Sequence, residues 1–200
     1  FLQGKYCMLA NDDDLYHPDY VKKMVDFLEN HPEIDMVYSN GRYIDLSGLH
    51  QNKIIQREKD TYNESSSSLS NCCSYIQKRN VLPIIFGFFR TDSFCRTLPF
   101  ENFDDLKANV DNLFIVKFFL MGFKCHFIDE ELFFYRAKKR GLDVKSSVKI
   151  AGIPGLDKPL LIWMYYIRHQ FYFFRKLDEV ILGCKLSEKH YFYVKCITLN

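Results

Sequence analysis

Within its first 44 residues the chain runs from an apolar stretch through three consecutive carboxylates to an amphipathic helix and a second apolar stretch. Tyr6-Cys7-Met8-Leu9-Ala10 reads as a buried strand, and Asn11-Asp12-Asp13-Asp14 as the turn that leaves it. A helix start follows at His17-Pro18-Asp19, where Pro18 suits the first turn. Val21, Met24, Val25 and Leu28 fall at i, i+3, i+4 and i+7, one face of that helix, and Asn30-His31-Pro32 stops it. Met36-Val37-Tyr38-Ser39 then forms a strand, prolonged past Gly41 by Arg42-Tyr43-Ile44. Strand, acidic turn, helix and strand in that order make a βαβ unit, which commits the chain to an α/β fold.

Three adjacent acids repel one another, so a fold keeps them where they are solvated or where a cation neutralises them. Hard oxygen donors at the C-terminal end of a strand suit Mg²⁺ or Mn²⁺, which usually bridge to a substrate phosphate. In open α/β sheets, ligands also collect beyond the carboxyl ends of the strands. The same residues can equally be an acidic turn that caps the next helix. Taken alone, the cluster leaves both readings open.

Two hundred residues make one domain, or a domain with an appendage. A net charge of +2 is too mild to indicate nucleic acid, and the densest basic block is only Lys138-Lys139-Arg140. The seven cysteines include no CxxC pair, and Cys7, Cys95 and Cys125 sit in apolar segments. That pattern favours reduced core thiols and a cytoplasmic location over a disulfide framework. Leu160 to Ile167, the longest uninterrupted apolar stretch, is far short of the ~20 residues that span a bilayer. The chain begins without Met, and is expected to be a piece of something longer.

Further along, residues 46–70 lose periodicity and finish in Ser65-Ser66-Ser67-Ser68, which predicts a flexible loop. Val81 to Arg90 reads as a strand with a bend at Gly87, and Thr91-Asp92-Ser93 as N-caps for a short helix. Asn109 to Met121 is a helix apolar on most faces, hence buried, and it stops at Gly122. Lys124 to Arg136 is a strand pair or one extended strand. After a polar loop at 137–149, Leu160 to Leu182 makes a long aromatic helix, and Ser187 caps a last short one. The aromatic helix is expected to pack on the core or a partner, with peripheral membrane contact as the alternative.

The order of these parts carries a resemblance. Gly4-Lys5-Tyr6, three apolar residues, Ala10, then Asn11-Asp12-Asp13-Asp14-Leu15-Tyr16-His17-Pro18 resembles the family-2 glycosyltransferases of the GT-A fold, which typically read G-K/E-Y, an apolar strand, an aspartate-rich metal motif, then Pro and a helix. Pro32-Glu33-Ile34-Asp35-Met36-Val37 resembles that family's entry to its following strand. Asp111, then Gly122-Phe123-Lys124, an aromatic strand, Glu131-Leu132 and Tyr135-Arg136 resembles its "E-D … G-x-K … E-x-L-x-x-Y-R" run. The likeness covers about residues 3 to 136.

The resemblance implies a GT-A-like mixed sheet flanked by helices and incomplete on its N-terminal side. Residues 1–145 would be the C-terminal two-thirds of the transferase domain, and 150–200 a helical extension. It implies an inverting enzyme that takes a nucleotide-sugar donor and a glycan or lipid-linked acceptor. Mn²⁺ or Mg²⁺ would be held by Asp13 with Asp12 and Asp14, donor contacts would come from Asn11, Asp12 and Arg136, and Gly87, Phe88 and Arg90 would line the acceptor groove. Asp111 would be the base, preceded by Val110 where the family has Glu. Opening a buried helix, its carboxyl should be harder to ionise than usual, which suits a base. The expected separation from the acid turn is about 8 to 12 Å across one cleft. Lys138 stands where the family often has His, which puts a His ligand to the metal in doubt; Lys138 and Arg140 read as a solvated loop, with a contact to the diphosphate as the alternative. His126, in an apolar strand, reads as a satisfied core histidine. The location implied is the cytoplasm, or the cytosolic face of a membrane for a lipid-linked acceptor. Because the nucleoside pocket of such enzymes precedes the Gly-Lys-Tyr strand, residues 1–200 alone are expected not to catalyse transfer.

Overall fold

The computed structural model describes residues 2–55, 62–78, 83–98, 110–136 and 174–184. In chain order its elements are β1 (Tyr6–Met8), β2 (Leu15–Tyr16), α1 (Tyr20–Asn30), β3 (Met36–Ile44), β4 (His50–Ile54), α2 (Ser68–Lys78), a 3-10 turn (Ile84–Phe86), β5 (Phe88–Arg90), α3 (Thr91–Thr97), α4 (Val110–Leu120) and β6 (Cys125–Arg136). A further helix, α5, covers 174–183. All six strands join one mixed sheet in the order β1-β5-β3-β6-β2, with β4 paired to β3. The fold is α/β, as the alternation of apolar runs predicts.

The first βαβ crossover has a strand inserted in it. β5 lies between β1 and β3 and is antiparallel to both, which leaves β1 and β3 running the same way without touching. β3 and β6 are parallel and adjacent over nearly their whole length. Their register shifts at Ser39-Asn40-Gly41, where a Cβ on Gly41 would stand 2.3 Å from the carbonyl oxygen of Phe133. Only glycine lets β3 pass β6 this closely at that point.

Alternate sheet residues face opposite layers. Val37, Phe88 and Leu132 pack on one face against Tyr20, Met24 and Leu28 of α1. Met36, Tyr38, Phe89 and Cys125 pack on the other face, under α2, α4 and α5. Phe89 anchors this second layer, with the rings of Phe94, Phe114 and Phe118 at 5.4, 5.6 and 5.8 Å. Leu177 and Ile181 of α5 are fully buried in the same cluster, so this part of the aromatic C-terminal segment packs on the core. The rest of the predicted 160–182 helix, the predicted loop at 137–149 and the Ser187 cap lie outside the described residues.

Several local expectations change. The buried face of α1 is Tyr20, Met24 and Leu28, while Val21 is half exposed. Tyr20 decides the rotation: its ring enters the core and its hydroxyl donates to the Phe86 carbonyl at 2.7 Å. The predicted loop at 46–70 contains β4, which forms a hairpin on β3 through a turn in which Asp45 accepts from Ser47 and Leu49 and Gly48 takes φ 87°. Its serine run enters α2, with the Ser67 hydroxyl accepting the Ser70 N–H at 3.1 Å as an N-cap. Within the predicted 81–90 strand, the described residues form a 3-10 turn followed by three strand residues. Gly122, at φ 84°, ends α4 as expected and returns the chain into β6, a single long strand.

The described cysteines are all unbridged. Burial holds the Cys72 and Cys125 thiols well above their usual range and pushes Cys73 up to about 11. These are core side chains, not nucleophiles. Among the described residues no helix is long and apolar enough to cross a membrane.

Candidate functional site

β1 ends at Met8, and the chain then turns outward, with Leu9, Ala10, Asn11 and Asp12 exposed, before Asp14 becomes buried. What draws it back is β2, two residues that pair with β6 at Leu15↔Phe134 and Tyr16↔Phe133. Tyr16 packs its ring on Tyr20 and Phe133 at 4.9 and 5.4 Å, and its hydroxyl reaches back toward the Leu9 carbonyl at 3.5 Å. Burial and the Asp14 carboxylate push the Tyr16 phenol up to about 12, so it stays protonated. An aromatic floor of Tyr16, Tyr20, Phe133 and Phe86 thus lies beneath the acid turn.

The three acids have different surroundings. The Asp14 side chain is committed inside the protein: Oδ1 accepts the backbone N–H of Arg136 at 2.8 Å, and Oδ2 accepts from the Asn11 amide at 2.9 Å. Asp12 is exposed and Asp13 half-buried. None of them caps α1, which begins six residues beyond Asp14 with Asp19 at its N-cap position and no side-chain cap bond.

Arg136 closes the arrangement from β6. Its Nε donates to the Asp13 carbonyl at 2.7 Å, and its Nη1 to the carbonyls of Asp45 and Leu46, both at 2.9 Å. The acid turn is therefore fastened to the β3–β4 turn through one guanidinium. Arg136, expected at the donor, spends these donors on backbone oxygens.

The three residues expected in an acceptor groove also serve the fold. Phe88 is buried against α1 with the Tyr6 ring 5.7 Å away. A Cβ on Gly87 would stand 3.0 Å from the Ile84 carbonyl and 3.1 Å from the Met36 side chain, so its backbone is packed tightly on the core. Arg90 pairs with Tyr6 at the far end of β1 from the acid turn. There its guanidinium collects the carbonyls of Leu28 and His31 at the end of α1 and that of Ile34 beyond, at 2.6, 3.1 and 2.7 Å. Asp35 staples the same end, accepting from Ser93 and from the Lys124 N–H.

Asp111 lies in the first turn of α4, on the sheet face opposite α1. Because α4 turns back into β6, that first turn points in the direction in which β3 and β6 run, whereas β1 finishes level with Val37 near the start of β3. Asp111 is exposed, and its Oδ1 accepts the Asn112 N–H at 2.8 Å. The burial expected around this carboxylate is absent. Asn112 accepts from the Tyr75 hydroxyl at 3.0 Å, and burial together with the Asp111 charge holds that phenol well above its usual range.

Among the described residues, no three His, Cys, Asp or Glu side chains are grouped to hold a metal by themselves. Mg²⁺ and Mn²⁺ in phosphate-handling sites need less, since one or two carboxylates suffice when substrate phosphates complete the shell. Asp12 and Asp13 fit that requirement as hard donors on an accessible turn; Asp14, with both oxygens engaged, fits it poorly. His126 is half-buried in β6: it stacks on Phe27 at 4.2 Å, and its Nδ1 meets the Glu64 carboxylate at 2.8 Å. It is a satisfied histidine, held by the Glu64 carboxylate and the Phe27 ring. Lys138 and Arg140 lie outside the described residues.

Sequence reasoning missed the Asp14–Arg136 pairing and the role of β2. The one available signal was the apolar pair Leu15-Tyr16 directly after the acids, too short to read as a strand. No protein-family model matches the chain, and no curated protein matches it.

Proposed function

We propose that this chain belongs to an inverting, metal-dependent glycosyltransferase that moves a sugar from a nucleotide-sugar donor to a hydroxyl of a glycan or lipid-linked acceptor. The observation that carries the reading is the acid turn itself. It caps no helix, it is tied to the end of β6 through Asp14, and it presents Asp12 at the surface at the C-terminal end of that strand, where α/β folds bind ligands. A turn that served only to cap α1 would have its carboxylates on α1.

In this reading Asp12 and Asp13 would hold Mg²⁺ or Mn²⁺, which would supply Lewis-acid stabilisation of the leaving group. The acceptor hydroxyl attacks the anomeric carbon from the face opposite the diphosphate. As the new C–O bond forms, the bond to the β-phosphate oxygen breaks and its electron pair leaves with the nucleoside diphosphate. The hydroxyl proton passes to the Asp111 carboxylate, which is exposed on α4.

Asp111→Asn tests the assignment. Transfer should fall by about 10²- to 10⁴-fold, the usual contribution of a general base, while donor affinity is kept because the base touches only the acceptor. Steady-state kinetics with a donor-binding titration will separate the two. A variant that turned over normally, or that lost donor affinity instead, would remove Asp111 from this role.

A further inference from the structure

Arg136 and the acid turn are tied twice, in opposite senses. The Asp14 carboxylate accepts the Arg136 backbone N–H, and the Arg136 side chain donates to the Asp13 carbonyl one residue before Asp14. The same guanidinium reaches the Asp45 and Leu46 carbonyls. We propose that this reciprocal latch makes Asp14 and Arg136 positioning residues of the candidate site, which set the acid turn against the β3–β4 turn and leave Asp12 and Asp13 to meet the cation. The latch stands on the geometry alone. Its consequence for a cation rests on the transferase reading.

The chemistry of the two residues gives the proposal an unusual signature. What Asp14 supplies is an acceptor at a fixed place, so an amide in its position can still take the Arg136 N–H, with Asn11 turning its own amide to match. A metal ligand would instead need the charge. What Arg136 supplies is a planar fork whose Nε and Nη1 face different segments. A lysine ammonium keeps the charge but cannot bridge both sides, whereas a diphosphate contact would tolerate lysine as a point charge. The latch therefore predicts that charge is dispensable at 14 and insufficient at 136.

Asp14→Asn, Asp14→Ala and Arg136→Lys, made in the natural protein, decide it by two readouts. The first is amide hydrogen exchange over 11–16 and at Arg136, which does not depend on any activity. The second is calorimetric affinity for Mn²⁺ with inorganic pyrophosphate as the diphosphate probe. The expected result is protection of the Arg136 amide in the wild type and in Asp14→Asn, and its loss in Asp14→Ala. Arg136→Lys should loosen the acid-turn amides. Probe affinity should fall by about 10- to 100-fold in Asp14→Ala and Arg136→Lys, the range for groups that orient metal ligands, and stay near wild type in Asp14→Asn. If Asp14→Ala fails to fold, the contrast between Asp14→Asn and Arg136→Lys carries the test. Equal losses in Asp14→Asn and Asp14→Ala, or wild-type affinity in Arg136→Lys, would make these residues ligand contacts and overturn the latch. An unprotected Arg136 amide in the wild type would overturn it as well. The exchange pattern without any binding of the probe would uphold the latch and remove the transferase reading.

Discussion

Asp13→Ala should abolish Mn²⁺-stimulated sugar transfer in the natural protein while leaving the fold intact. Removing the carboxylate removes a ligand from the group that stabilises charge on the leaving diphosphate, an effect worth several kcal/mol at the transition state. The fold should survive because Arg136 holds Asp13 by its backbone carbonyl, which alanine retains. Circular dichroism should therefore superimpose on that of the wild type, and the loss should appear in the rate. Transfer at the wild-type rate in this variant, or undiminished transfer by the parent in chelator, would refute the metal role.

Phe89→Ala should be the most damaging core substitution on the α4 side of the sheet. Phe89 is fully buried in β5, with three rings packed edge-on around it, and those rings sit on two separate helices, α3 and α4, that cannot both collapse inward. The expected cost is about 3–5 kcal/mol, the range for deleting a buried aromatic ring and leaving its cavity. Urea denaturation should show a large fall in the midpoint with little change in slope. Val21→Ala is the matched control, because Val21 is 50% exposed on the outer side of α1 and should change stability by no more than about 0.5 kcal/mol. Equal midpoints for the two variants would contradict the assignment of the core.

The parts legible in the sequence are those whose own residues fix them. β3 opens on the apolar Met36-Val37-Tyr38, β6 carries Phe127-Ile128 and Leu132 to Tyr135, and α4 is apolar on nearly every side, so each announces its type. α1 was legible as a helix but not in its rotation, since choosing between Val21 and Tyr20 for the inner face required knowing that the Phe86 carbonyl would accept the tyrosine hydroxyl. β2 and β4 were not legible because neither has a pattern of its own; one exists through Phe133 and Phe134, the other through Arg42 and Ile44. α2 carried a readable signal in Leu69, Cys72 and Ile76, spaced i, i+3 and i+7 after the capping Ser67, but the serine run before it reads as a loop.

The candidate site divides in the same way. Carboxylates gathered after a strand are visible in the residue string, and so is an aspartate at the head of a buried helix. What the string hides is who bonds to backbone. Arg90 and Arg136 look like ligand-binding cations, and both turn out to collect carbonyls that the chain's own turns leave open. Asp14 looks like one acid of three, and both its oxygens are already engaged within the protein.

The most direct test of the transferase reading is calorimetric titration of the natural protein with nucleotide sugars, uridine and guanosine diphosphate sugars first, with and without Mn²⁺. The account predicts that a donor binds when Mn²⁺ is present and that binding collapses in chelator and in Asp13→Ala. Binding of equal strength without the metal, or no binding across the panel, would contradict it.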